Sequence, residues 1–140
     1  MGSFRGPVFL DRIDLHIDIL PLIFEEMSKT SVSESSASIR DRVIKARKIQ
    51  EERYREHPLI HCNAQMTPAL LRQHAVLDEK ALKILNNAMT KLNLSARAYD
   101  RILKVSRTIA DYEGVENITS THIAEAISYR SLDRENWGQR

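Results

Sequence analysis

The stretch Ser95–Gly114, SARAYDRILKVSRTIADYEG, constrains the fold more than any other part of the chain. Its apolar residues Ala98, Ile102, Val105, Ile109 and Tyr112 recur at spacings of four, three, four and three. An α-helix turns every 3.6 residues, so this rhythm gathers them on one stripe. Ser95 offers an N-cap oxygen to the free amides of the first turn. Gly114 stands where a left-handed C-terminal residue is wanted. A helix this long, apolar on one stripe, needs other elements to cover it.

The rest of the chain supplies helices. Thr67 and Pro68 read as an N-cap and first helical position. Asp78 opens a helix that turns Ala81, Leu82, Leu85, Ala88, Met89 and Leu92 to one side. A last helix begins at Thr119 or Thr121, carries Ile123, Ala126 and Ile127 inward, and runs to about Leu132. A more charged helix spans about Ser36 to Glu56, capped near Ser35 or Ser36, and stops before His57-Pro58. Its apolar positions Ile39, Val43 and Ala46 form only a narrow stripe, with Ile44 and Ile49 off it. The fold class is mainly α: a compact bundle of four to five helices.

One segment does not fit that class. Residues 12–19, RIDLHIDI, alternate strictly, with Ile13, Leu15, Ile17 and Ile19 on one side and Asp14, His16 and Asp18 on the other. This is the pattern of a half-buried strand. A lone strand is unstable in water, and no second convincing strand follows. The expectation is an orphan strand whose sheet lies in another part of a longer polypeptide. The chain then divides into an incomplete strand region at 1–27, a flexible serine-rich linker at 28–35, a helical domain at 36–132 and a tail at 133–140.

Composition narrows the function. The 140 residues carry a net charge of only +2, so any contact with nucleic acid has to come from local clustering. The single Cys62 excludes an internal disulfide and suits a reducing compartment. The apolar start at Pro7–Leu10 stops at Asp11, and no run approaches a membrane span. A cytoplasmic protein without a membrane partner is expected. The glycines are Gly2, Gly6, Gly114 and Gly138, so no phosphate-binding glycine loop can be written. His61 and Cys62 are adjacent, Pro58 separates His57 from His61 on any helix, and no metal site emerges. No nucleophile motif or carboxylate pair stands out either.

The candidate chemistry is cationic. Arg97 lies two residues inside its helix, at the end where the dipole is positive and a cation is misplaced by about 0.3–1 kcal/mol. An arginine beside free amides suits an anion such as phosphate; alternatively it pairs with Asp100 or points into water. Arg97, Arg101 and Lys104 share a face beside the apolar stripe, with Arg107 further round. The cations of the 36–56 helix point nearly all round its cylinder, whereas a nucleic-acid surface concentrates them on one side.

Taken together, LDRIDLHIDI, ESSASIRDRVIKARKIQEERY, HCNAQMTPALLRQHAVLDEKALKILNNAMTKL, LSARAYDRILKVSRTIADYEG and HIAEAISYRSLDRENWG resemble, in order and spacing, the C-terminal part of the bacterial magnesium-chelatase-like AAA+ ATPases, the YifB/ComM competence-protein family. The resemblance covers roughly residues 6–138. It implies that Ser95, Ala96 and Arg97 form a sensor-2 motif at the start of a lid helix, with Arg97 on ATP phosphate and Arg101 as a weaker nucleotide-binding candidate. It implies that Leu10, Asp11, Arg12, Ile13 and Asp14 form an arginine-finger segment, with Arg12 acting in trans on a neighbouring subunit's ATP. Val8, Phe9 and Leu10 stand between Pro7 and Asp11, one residue more than the family pattern. The Walker motifs of such proteins lie upstream, so this chain is not expected to be an enzyme alone. ATP and magnesium are expected for the full-length protein only. The implied partners are an upstream core of the same polypeptide, neighbouring subunits of a hexameric ring, and DNA through the full assembly. The competing readings are a free-standing helical nucleic-acid-binding module and a protein-interaction bundle.

Overall fold

Each of the five helices among the described residues begins at a cap residue that the sequence supplies. The computed structural model describes residues 12–17, 19, 21 and 33–130. Helix α1 is Ser36–Arg53, with the Ser35 hydroxyl accepting from the Ser38 amide at 3.2 Å. Helix α2, Pro68–His74, carries Thr67 as its cap, and α3, Glu79–Lys91, carries Asp78, which accepts from the Ala81 amide at 2.6 Å. Helix α4 is Ala96–Glu113, where Ser95 accepts from the Ala98 amide at 3.2 Å. At α5, Ser120–Ser128, Thr119 is the N-cap and the buried His122 ring reaches back to it: its Nδ1 accepts from the Thr119 amide at 3.0 Å. A short 3-10 turn, Asn63–Gln65, links α1 to α2.

Helix α4 is the axis of the bundle. It packs against α1, α2, α5 and the 3-10 turn, while α3 leans on α5. The core lies between them, built on Leu85, Ile102 and Ile123, each at most 1% exposed, with Leu70, Leu71 and Ile127 around them. Burying one such side chain contributes about 1.5–3 kcal/mol. Leu77 and Ile118, ahead of α3 and α5, form an isolated parallel bridge that pins the two helix starts side by side. The helical class expected from the sequence is the class found.

The helical stripes differ in detail. On α4 the buried residues are Ala98, Ile102, Leu103, Ser106, Arg107, Ala110 and Asp111. Val105 and Ile109 are only partly buried, and Tyr112 is exposed. Neighbours on several sides widen the buried arc, and the α1 side of it is polar. On α3, Leu82 is exposed while Ile84 packs on the core. On α1 only Ala46 and Gln50 are buried; Ile39 and Val43, at 43% and 44% exposure, lie on the stripe but find nothing to cover them among the described residues.

The N-terminal segment makes contacts that its local sequence does not announce. Among the described residues it forms no strand, only an isolated parallel bridge between His16 and Arg130. Within it His16 is buried and Ile13 partly buried, while Leu15, Ile17 and Ile19 are exposed. Alternation fixes which residues share a side, but the neighbour decides which side is covered, and here the neighbour is the end of α5. Both ring nitrogens of His16 lack a hydrogen bond among the described residues. The expected boundaries at 27/28 and 132/133, and most of the linker and tail, lie outside the described residues.

Candidate functional site

The Ser95 cap fixes the start of α4 and so fixes Arg97. The amides of Ala96 and Arg97 lie in a first turn that has no intrahelical acceptor for them, and the cap bond serves Ala98. Arg97 is exposed and forms no ion pair among the described residues, with Asp100 or any other group. The basic face read from the sequence divides in the structure. Arg101 pairs with Asp14. Lys104 donates to the Ala64 carbonyl at 3.0 Å. Arg107 is buried and spends its donors on Asp111 and on the Val115 and Glu116 carbonyls. Of the four cations, Arg97 alone faces outward without a protein partner among the described residues. Arg12 is likewise exposed and unpaired among them.

Arg12 does not lie on a detached strand. Asp14, two residues later, meets Arg101 on α4. The Ile13 carbonyl accepts from Arg130 Nη1 at 2.8 Å, and the His16 amide donates to the Tyr129 carbonyl at 2.5 Å. These bonds join the Arg12 segment to the same helices that carry Arg97. Sequence reasoning missed them, because nothing local in RIDLHIDI identifies partners 87 and 117 residues away.

A second polar cluster lies where α1 crosses α4. Arg53 donates to Asp111 through both terminal nitrogens, and to Asn63 Oδ1 at 3.0 Å. Asn63 Nδ2 donates to Asp111 Oδ2 at 2.8 Å and Thr108 Oγ1 at 3.0 Å, while Tyr54 donates its hydroxyl to Asn63 Oδ1 at 2.7 Å. Burial lowers the Arg53 pKa, but the Asp111 bond and charge outweigh it and leave the net value raised. At Arg107 burial wins over the same carboxylate, and the value is lowered. The principal donors and acceptors here are answered within the protein, so the cluster holds α1 in place. The signal that could have found it was the i, i+4 pair Arg107/Asp111 beside Leu103 and Ala110.

The other cations of α1 are partly spent as well. Arg42 pairs with Glu34 and lies 5.3 Å over the Tyr112 ring, and Arg55 just beyond the helix pairs with Glu52. An apolar groove of about 430 Å³ runs between α2, the start of α3 and α4, with Arg72 and Asp100 at its rim. A polar recess of about 230 Å³ lies over Glu52, Glu56, His57 and His74. Among the described residues no group of three or more His, Cys, Asp or Glu could hold a metal ion, and no helix is long and apolar enough to cross a membrane.

Residues 33–130 match the family model described as magnesium chelatase, subunit ChlI C-terminal. The chain is 42% identical over 135 residues to the competence protein ComM of Haemophilus influenzae, covering 96% of this chain and 25% of that protein. It is 41% identical to the YifB protein of Escherichia coli and 39% to that of Salmonella typhimurium, covering 96% of this chain and 26% of each. The chain thus spans about a quarter of the length of these relatives.

Proposed function

The chain belongs to the magnesium chelatase, subunit ChlI C-terminal family, and on that premise we propose that it is the lid of an AAA+ ATPase that senses nucleotide phosphate through Arg97. The observation that carries the reading is the state of Arg97: exposed, without an ion pair among the described residues, and beside first-turn amides. A side-chain cation and free amides converge there, and both favour an anion. ATP fits that end of α4 and, when bound, would supply the phosphoryl group to be transferred. Arg97 would hold phosphate oxygens of the nucleotide in its own subunit. Arg12 would reach the nucleotide of a neighbouring subunit, where charge on the transferred phosphoryl group is stabilised in trans. Magnesium would be held largely by the phosphates of the nucleotide and by carboxylates of an upstream core.

Such a lid would rotate as nucleotide state changes, transmitting hydrolysis to a substrate of the assembled ring, DNA included. The test is Arg97→Ala in the chain joined to its upstream core. Loss of one charge-assisted contact should lower kcat/KM for ATP by about tenfold or more. The unfolding midpoint of the 140-residue chain should barely move, because a cation at a helix N-terminus contributes nothing favourable. Asp100→Ala should leave turnover unchanged. Wild-type turnover in Arg97→Ala would refute the phosphate role.

A further inference from the structure

We propose that Asp14, Arg101 and Arg130 form a latch that fixes the Arg12 segment to the helix carrying Arg97, which makes Arg101 a positioning residue. Three contacts hold consecutive parts of one short stretch. The Ile13 carbonyl takes the Arg130 guanidinium, the Asp14 carboxylate takes Arg101, and the His16 amide donates to the Tyr129 carbonyl. Arg130 is 1% exposed and His16 4%, so the stretch packs against the segment just beyond α5. Of its apolar residues Ile13 is partly buried, whereas Leu15, Ile17 and Ile19 are exposed. Directed polar bonds therefore help to set the position of this stretch.

The consequence is mechanical. Arg12 immediately precedes the latched Ile13, and Arg101 lies one turn along α4 from Arg97. A displacement of α4 is transmitted through the Asp14–Arg101 pair to the backbone that carries Arg12. With phosphate as the cause of that displacement, a clause that rests on the function proposed above, the site sensed by Arg97 would govern the reach of Arg12 toward the next subunit. The Arg101 charge is then used on Asp14 rather than on nucleotide.

Two measurements test this. In the 140-residue chain, amide exchange at His16 reports the latch directly. Asp14→Asn and Arg101→Gln should each speed it about two- to fivefold, the size of effect of a partly exposed ion pair. Exchange at Leu85 and Ile102 should stay at the wild-type rate, and the reversal Asp14→Arg with Arg101→Asp should restore His16. Unchanged His16 exchange in both single variants would overturn the latch. In the chain joined to its upstream core, Arg101→Gln should lower kcat with KM for ATP held, and the reversal should recover kcat. A raised KM that the reversal does not recover would make Arg101 a phosphate ligand and defeat the proposal. Absence of any ATP turnover in the wild-type joined protein would defeat the nucleotide reading instead, and His16 exchange would still decide the latch.

Discussion

Asp111 is fully enclosed and serves two guanidiniums at once: its side chain is 0% exposed, against 14% for Arg53 and 5% for Arg107. Asp111→Asn keeps the shape and removes the only formal anion in that contact. Two partly or fully buried cations then face each other without a counter-charge, and breaking such an arrangement costs about 3–5 kcal/mol. Urea unfolding should show that loss, and a change under 1 kcal/mol would mean that water reaches the cluster. His74 gives a pH prediction. Burial lowers its pKa from 6.5, with help from the nearby charges of Arg53, Arg107 and His57 and against the pull of Asp111. The folded state therefore binds fewer protons than the unfolded state just below pH 6.5, so stability rises with pH there. The contribution is full above about pH 6.5 and falls as pH drops toward the lower folded value. His74→Gln should flatten the stability curve in that interval, as read by urea midpoints at stepped pH.

The elements differ in how firmly their ends are made. Helix α4 ends on Gly114 with φ +74°, and the Val115 amide reaches back to the Ala110 carbonyl at 2.9 Å. A Cβ at Gly114 would meet nothing within 4 Å, so Gly114→Ala isolates the backbone cost. That cost should be about 1–2 kcal/mol in a chemical denaturation series. Helix α3 ends similarly on a residue the sequence reading passed over: Asn93 has φ +48°, and the Leu94 amide donates to the Met89 carbonyl at 3.0 Å. Asn93→Gly should not destabilise the chain, as the same series measures beside Gly114→Ala. Helix α1 is long but poorly covered, since Ile39, Val43, Ile44 and Ile49 are all at least 37% exposed. Its hold on the bundle is its C-terminal half, through Ala46, Gln50 and the Arg53–Asp111 pair.

At the scale of the whole molecule, the proposed function would bring a nucleotide to Arg97 and the start of α4. The chain contains no glycine loop for phosphates, and the described residues contain no acidic cluster for a metal ion. The purified 140-residue chain should therefore show no ATP turnover above background in a steady-state assay. Turnover that disappears on a point change within this chain would show that the phosphate site is complete here. The long-range bonds of the Arg12 segment give the molecule its other whole-chain property, because α4 and α5 carry both candidate arginines on one packed unit.

The helices and their starts were legible in the sequence, because caps and periodicity act over a few residues. Ser35, Thr67-Pro68, Asp78 and Ser95 each satisfy amides within one turn, and Gly114 meets a local backbone demand. Ile123, Ala126 and Ile127 point inward as their spacing requires. Arg97 was legible too, since its position in the first turn is a local fact. Tertiary structure decided the rest. Which flank of the α4 stripe is buried depends on α1 crossing it, and that crossing is held by Arg53, Asn63 and Asp111 from three separate elements. Whether Arg101 stays free depends on Asp14, and which side of RIDLHIDI is covered depends on the end of α5. Periodicity identifies residues that share a face, whereas charge pairing and burial depend on what arrives at that face from a distant part of the chain.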